Sequence, residues 1–275
     1  MQRKTRRDAG VIQVTKRDLH CISWCASMEA VRLDQIQQLL SRCVDERHPG
    51  RHQMAESTVR GQVARWVRAG WIEYKKILAD YPGWAYVTHE GRLLLGQETR
   101  FEAQVPSASR LAHIYAVNQV RLQSEQQGEQ WTSKRDLPEL SSGLIPDAGV
   151  AKHGKMRAVV VQMTPLSEGA YGEKMNGLLE EREYDFVHWY IAQESIKRAI
   201  EHEIRTHVVG GRARRISVVL WEGLQMGAVQ ALGNEGDGQP EEEKSIPKRR
   251  TRNRRSVSQR ELPWEEKSAC DPQRC

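Results

Sequence analysis

Between Ser57 and Ala69 the apolar positions recur at helical spacing. Val59, Val63, Trp66 and Val67 fall on one face. At about 100° per residue the opposite face carries Ser57, Gly61, Arg65 and Arg68, with Thr58 and Arg60 flanking it. A Ser-Thr pair suited to N-capping opens this helix, and Gly70 ends it. The period then changes. Two β-rich runs follow, Trp71 to Leu78 and Trp84 to Thr88, separated by the turn Ala79-Asp80-Tyr81-Pro82-Gly83. Upstream, a helix is predicted from the cap Thr15 to about Met28, with Leu19, Ile22 and Cys25/Ala26 inward. A second spans Leu33 to Leu40 on Ile36, Leu39 and Leu40. Thr88-His89-Glu90-Gly91 starts a further short helix containing Leu93, Leu94 and Leu95.

Three helices followed by a hairpin form the pattern of a winged helix-turn-helix, placed at residues 11–100. In that reading Ser57, Thr58, Arg60, Gly61, Arg65 and Arg68 face double-stranded DNA, with Lys75 and Lys76 on the first wing strand. An exposed face with three arginines could equally be a solvated helix surface. The wing, its lysines and Gly61 shift the balance, because a mid-helix glycine costs about 1 kcal/mol against alanine and implies a close backbone approach.

The second half alternates strands and helices. A helix is predicted at Ser109–Gln127, then strands at Trp131–Leu137 and Leu144–Val150. The most apolar run is Arg157–Thr164, followed by a helix near Ser167–Glu181. A strand at Tyr184–Ala192, a helix at Ser195–His207 and a strand at Arg215–Trp221 complete the order. This predicts a small mixed sheet covered by helices at residues 109–222, joined to the first domain by a linker at 101–108. The whole chain is then α+β. Residues 1–10 read as a flexible basic arm. Residues 223–275, with acidic Glu241–Glu243 and basic Lys248–Arg255, read as a disordered charged tail.

Composition sharpens the partner. Lys and Arg number 42 against 36 Asp and Glu, a net charge of +6. The excess is mild, but it gathers at Arg3, Lys4, Arg6 and Arg7, on the reading helix, and in the tail, which favours nucleic acid over a membrane surface. No apolar run approaches the roughly 20 residues of a membrane span, and no apolar segment follows the charged start as in a secretory signal. Five cysteines without framework spacing imply reduced thiols and a cytoplasmic protein. Cys21 and Cys25 read as small core residues more than as metal ligands, and His48 and His52 as loop residues.

The order helix, strand, strand with Pro146-Asp147, central apolar strand, helix is that of restriction-endonuclease-like nucleases. Their metal site needs an Asp, then (Asp/Glu)-x-Lys on the next strand, to hold a cation and position water. Here Arg157-Ala158-Val159-Val160-Val161-Gln162-Met163-Thr164 contains no acid and no lysine. Asp147 therefore reads as a turn residue and only a weak catalytic candidate, and the domain reads as catalytically silent, with no metal and no cofactor. The alternative is a metal-dependent nuclease or nicking enzyme with migrated ligands, Asp147 with Glu168 or Glu173, assisted by Lys174.

The chain from about 14 to 222 resembles the replication-relaxation protein family of bacterial plasmids and conjugative elements. The resemblance rests on Val14-Thr15-Lys16-Arg17-Asp18-Leu19, Val67-Arg68-Ala69-Gly70-Trp71-Ile72 and Tyr86-Val87-Thr88-His89-Glu90-Gly91. His113 with Asn118, Ile145-Pro146-Asp147-Ala148 and Gln162-Met163-Thr164-Pro165 add to it. It implies a winged helix coupled to a nuclease-like domain and a role in plasmid replication or DNA relaxation. With its metal ligands missing, the nuclease-like domain would serve for dimerisation or partner contacts, so a homodimer or replication and conjugation proteins are expected partners. Where the family carries a Glu-x-Glu-type strand and a following lysine, this chain has Val160, Gln162 and Leu166.

Overall fold

The computed structural model describes residues 12–45, 53–77, 81–97, 106–138, 140, 143–167, 169–181, 183–208 and 210–221. The arm, the tail, His48, His52 and Glu168 lie outside the described residues. Within them the protein is mixed α+β, with seven α-helices and two sheets.

Helix α1 (Lys16–Ser27) starts on a capping box: the Thr15 hydroxyl accepts from the Asp18 amide at 3.2 Å and the Asp18 carboxylate accepts from the Thr15 amide at 2.9 Å. Cys21, Ile22, Trp24, Cys25 and Ala26 are buried. A two-residue strand β1 (Val31–Arg32), too short to leave a periodic signal, leads into α2 (Leu33–Asp45), which runs five residues past the predicted end. Helix α3 (Glu56–Arg68) begins one residue earlier than the sequence suggests. Ala55 occupies the cap position without a side-chain bond, so Ser57 and Thr58 lie inside the first turn and do not cap it. Glu56, whose negative charge suits a helix start, takes the place beside the cap. Gly70, at φ +75°, lets the chain reverse into β2 (Ile72–Lys75), which pairs antiparallel with β3 (Trp84–Val87). Strand β1 adds to the other edge of β3, giving the order β1-β3-β2. Helix α4 (His89–Leu94) is capped by the Thr88 hydroxyl, which accepts from the Gly91 amide at 3.1 Å.

Helix α5 (Ala108–Gln126) then leads to the five-stranded sheet β4-β5-β6-β7-β8. Its strands are β4 (Gln130–Ser133), β5 (Ala148–Lys152), β6 (Lys155–Gln162), β7 (Phe186–Ile191) and β8 (Ile216–Leu220). The pairs β4–β5 and β5–β6 are antiparallel, and β6–β7 and β7–β8 are parallel. Helices α6 (Ala170–Glu180) and α7 (Glu194–His207) make the two parallel crossovers. Strand β5 starts at Ala148, after Pro146, which has no amide to donate. It turns into β6 through His153 (φ 50°) and Gly154 (φ 74°), a two-residue hairpin with both central residues left-handed.

Strand β6 is apolar on both faces because both are covered. Val159 and Val161 join the core that contains Val117 and Val120 of α5. Ala158 and Val160 join the core that contains Met175 of α6 and Ile196 and Ile200 of α7.

Helix α5 is buried nearly all round, since it packs on the sheet and on the helices of the first half. The segments read as separate domains on either side of 101–108 share one core, in which Cys21, Ile36 and Trp66 belong to the same cluster as Val120 and Val159. Polar contacts fix the seam. The Asn118 amide donates to the Ala30 carbonyl at 2.8 Å and to Gln35 Oε1 at 3.0 Å, and Gln35 donates to the Tyr115 carbonyl at 2.9 Å. The Arg121 guanidinium lies 4.4 Å over the Trp24 ring and donates to Glu125 at 2.7 Å. Among the described residues no helix is long and apolar enough to cross a membrane.

Candidate nucleic-acid interface

Val59, Val63 and Trp66 anchor α3 in the core, which turns its other side outward. Ser57, Thr58, Arg60, Gly61, Ala64 and Arg68 are exposed along that side, and Val67, which the sequence places inward, is 41% exposed at its margin. The surface is therefore low in the middle, with Ser57, Gly61 and Ala64, and cationic at its edges. Arg60 is bridged to Glu56 of the preceding turn at 2.6 and 2.8 Å. Lys75 at the end of β2 and Lys76 just after it are exposed. Lys75 sits 3.6 Å from Glu73 and 5.6 Å over the Tyr86 ring, and the Tyr86 hydroxyl, then Glu73, hold its ammonium above the ordinary value.

Gly61 has no packing reason. A Cβ built there meets no atom within 4 Å. Nothing inside the fold requires glycine at this point of the helix.

Arg65 departs from the sequence reading, which placed it on the outward face with Arg68. Its guanidinium donates to the Asp18 carboxylate of α1 and, at 3.0 Å, to the Gln13 carbonyl, and only a quarter of the side chain is exposed. The helical wheel fixes where Cβ points, but a long side chain can fold back toward a buried charge. Asp18 is that charge. It is fully buried and accepts from Thr15, Gln62, Arg65 and the Trp66 indole. Burial pushes its carboxyl up, but the hydrogen bonds from Arg65, Trp66 and Thr15 outweigh this and hold it below the usual aspartate value. Arg65 is thus a brace between α1 and α3.

The second candidate centre lies at the start of β5. Asp147 Oδ2 accepts from the Val161 amide at 2.7 Å and the Asp147 amide donates to the Val159 carbonyl at 2.9 Å, so the residue carries the β5–β6 ladder on beyond Ala148. Its Oδ1 lies 3.0 Å from His113 Nε2 of α5. Burial raises this carboxyl, and His113, the Val161 amide and Lys174 more than offset it. The side chains beside Asp147 are those of His113 and Lys174, not carboxylates that could share a metal with it. Gln162, at the end of β6, donates to the Thr164 carbonyl at 2.7 Å. Glu173 is exposed, while Lys174 turns inward over the Trp189 ring at 5.4 Å. Among the described residues no group of three His, Cys, Asp or Glu side chains is placed to hold a metal ion.

Beside this pair opens a cleft of about 100 Å³, lined by Arg110, His113, Ser133, Lys134, Arg135 and Asp147 among others. Lys134 and Arg135 lie on a short 3-10 turn (Lys134–Asp136), inside a stretch that the sequence reads as the end of a strand. The adjacent basic pair is visible in the sequence, but its place beside α5 depends on packing.

Cys21 and Cys25 are core residues, as their spacing on α1 suggests. Asn118 braces the seam and His113 pairs with Asp147, so both serve contacts with other elements. Comparison of the chain with models of protein families, with curated proteins and with solved structures returned no match.

Proposed function

We propose that the protein binds double-stranded DNA through the outer face of α3, as a winged helix-turn-helix does, with β2 and β3 as the wing. The observation that carries this reading is Gly61. It is a glycine at mid-helix, with open space where its Cβ would be, in the middle of a face rimmed by Arg60 and Arg68. Small side chains at the centre let base edges approach the helix backbone, and cations at the rim meet phosphates. Val67 offers an apolar group of the kind that contacts a thymine methyl. Lys75 and Lys76 supply the wing contact to the phosphate backbone.

The five-stranded sheet with its α5 cover is the nuclease-like half of this reading, used as a scaffold. Asp147 is occupied by His113 and by the ladder, which leaves it a positioning role. Taken with the resemblance to the replication-relaxation family, this reading extends to a role in the replication or relaxation of a mobile element.

Salt titration of duplex binding tests the proposal. Arg68→Ala with Lys75→Ala and Lys76→Ala is expected to weaken binding at least about tenfold. The slope of log K against log salt should fall by roughly 2 to 3, close to one unit per lost phosphate contact. An unchanged slope and affinity sink the reading. Arg65→Ala is the wrong probe, because it breaks the tie to Asp18.

A further inference from the structure

The cleft beside α5 collects positive charge that the described fold does not neutralise. Of the groups lining it, Arg110 is paired with Glu29 at 2.6 Å, and the His113 ring lies 3.0 Å from Asp147. Lys134 and Arg135 are exposed, and their side chains make no hydrogen bond or ion pair with another described residue. Two further cations, on α4 and α6, feel their charge. Arg92 of α4 is half-buried, its Nε lacks a partner among the described residues, and its guanidinium is pushed below the ordinary value by burial and then by Arg135. Lys174 of α6 is lowered by burial and again by Lys134, with Asp147 pulling the other way.

Glu29 and Asp147 also line the cleft, each tied to its own partner, so the charge left over is that of Lys134 and Arg135. Holding like charges together costs stability, and a surplus of one sign concentrates ions of the other. The guanidinium and ammonium groups that line the cleft from α5 and the 3-10 turn match the oxygens of a phosphate. We infer that the cleft at Arg110, Lys134 and Arg135 is a phosphate-binding site. The phosphate belongs either to a nucleic-acid backbone or to a small free anion. His113, held by Asp147, also lines the cleft. The site is separate from the outer face of α3 and does not depend on what that face binds.

The test uses the full chain and its Lys134→Ala, Arg135→Ala double variant. Inorganic phosphate at constant ionic strength is expected to raise the unfolding midpoint of the parent protein above that in matched chloride, and to leave the variant's midpoint unmoved. In chloride alone the variant should melt at the same temperature as the parent or higher, since the substitutions remove repulsion and no bond. A purely structural role for the pair would lower it.

A short oligonucleotide separates the sources. If the variant binds it about tenfold more weakly and phosphate competes with it, the site grips the nucleic-acid backbone. If phosphate stabilises only the parent while oligonucleotide binding is equal in both, the ligand is a small phosphate. An equal phosphate response in parent and variant overturns the inference, as does no response to phosphate together with equal oligonucleotide binding. The Arg68, Lys75, Lys76 variant should keep its phosphate response, so failure of the duplex-binding reading is distinguishable from failure of this one.

Discussion

Replacing Asp18 with alanine is expected to cost about 3–5 kcal/mol of folding free energy, the penalty for removing one partner of a buried ion pair. The carboxylate is fully buried. It accepts from the Thr15 amide and hydroxyl at 2.9 and 2.8 Å, from Gln62 at 2.8 Å, from the Trp66 indole at 2.9 Å and from Arg65. Each of these donors loses its acceptor at once, and the Trp66 indole is itself buried. Against the 5–15 kcal/mol typical of a whole domain, the loss is large. Denaturant unfolding followed by tryptophan fluorescence measures it; a change below about 1 kcal/mol would show that Asp18 is not the tie it looks to be.

The same residue sets an acid limit. Its folded carboxyl titrates below the ordinary aspartate value, so its stabilisation is complete above about pH 4 and is lost as pH falls through the lower folded value. The variant should have a flatter acid limb than the parent protein. Because Asp18 links α1 to Gln62, Arg65 and Trp66 of α3, this carboxylate adds a polar tie to the apolar anchoring that turns the outer face of α3 outward.

That dependence shows where sequence reading stops. The buried positions Val59, Val63 and Trp66 of α3 and its exposed Ser57, Gly61 and Arg68 follow from spacing, because a helix of 13 residues repeats its period more than three times, while Val67 at the margin does not. The destination of Arg65 does not, since it is set by a carboxylate 47 positions away. Thr15-Lys16-Arg17-Asp18 is legible as a capping box, but the second duty of Asp18 toward α3 is not. Strand β1 is two residues long and leaves no period. The turn at His153-Gly154 carries a local signal, a glycine between two basic residues, which a reading based on apolar runs passes over. Asp147 was found by its place after Pro146, yet its role depends on His113, 34 positions upstream, and on the amide of Val161. Distance along the chain, more than ambiguity of residue type, separates what was readable from what was not.

Two helical glycines should respond to alanine with opposite sign. In α4, a Cβ on Gly91 would stand 2.1 Å from the Trp71 carbonyl oxygen and 2.7 Å from Val87 Cγ1. That oxygen accepts from the Thr88 amide at 3.1 Å, so backbone on both sides is committed and α4 must lift from the sheet end. Gly91→Ala is expected to cost about 1–3 kcal/mol, as overpacking does, in spite of alanine's better helix propensity. In α3, the Cβ on Gly61 meets nothing within 4 Å, and Gly61→Ala should stabilise the fold by about 1 kcal/mol. The added methyl sits where the proposed DNA would approach, so the more stable protein should bind duplex less tightly. Denaturant midpoints and a duplex titration on the two variants decide it. If Gly61→Ala stabilises the protein and leaves duplex affinity unchanged, no partner comes close to that backbone and the outer face of α3 is an ordinary solvated surface.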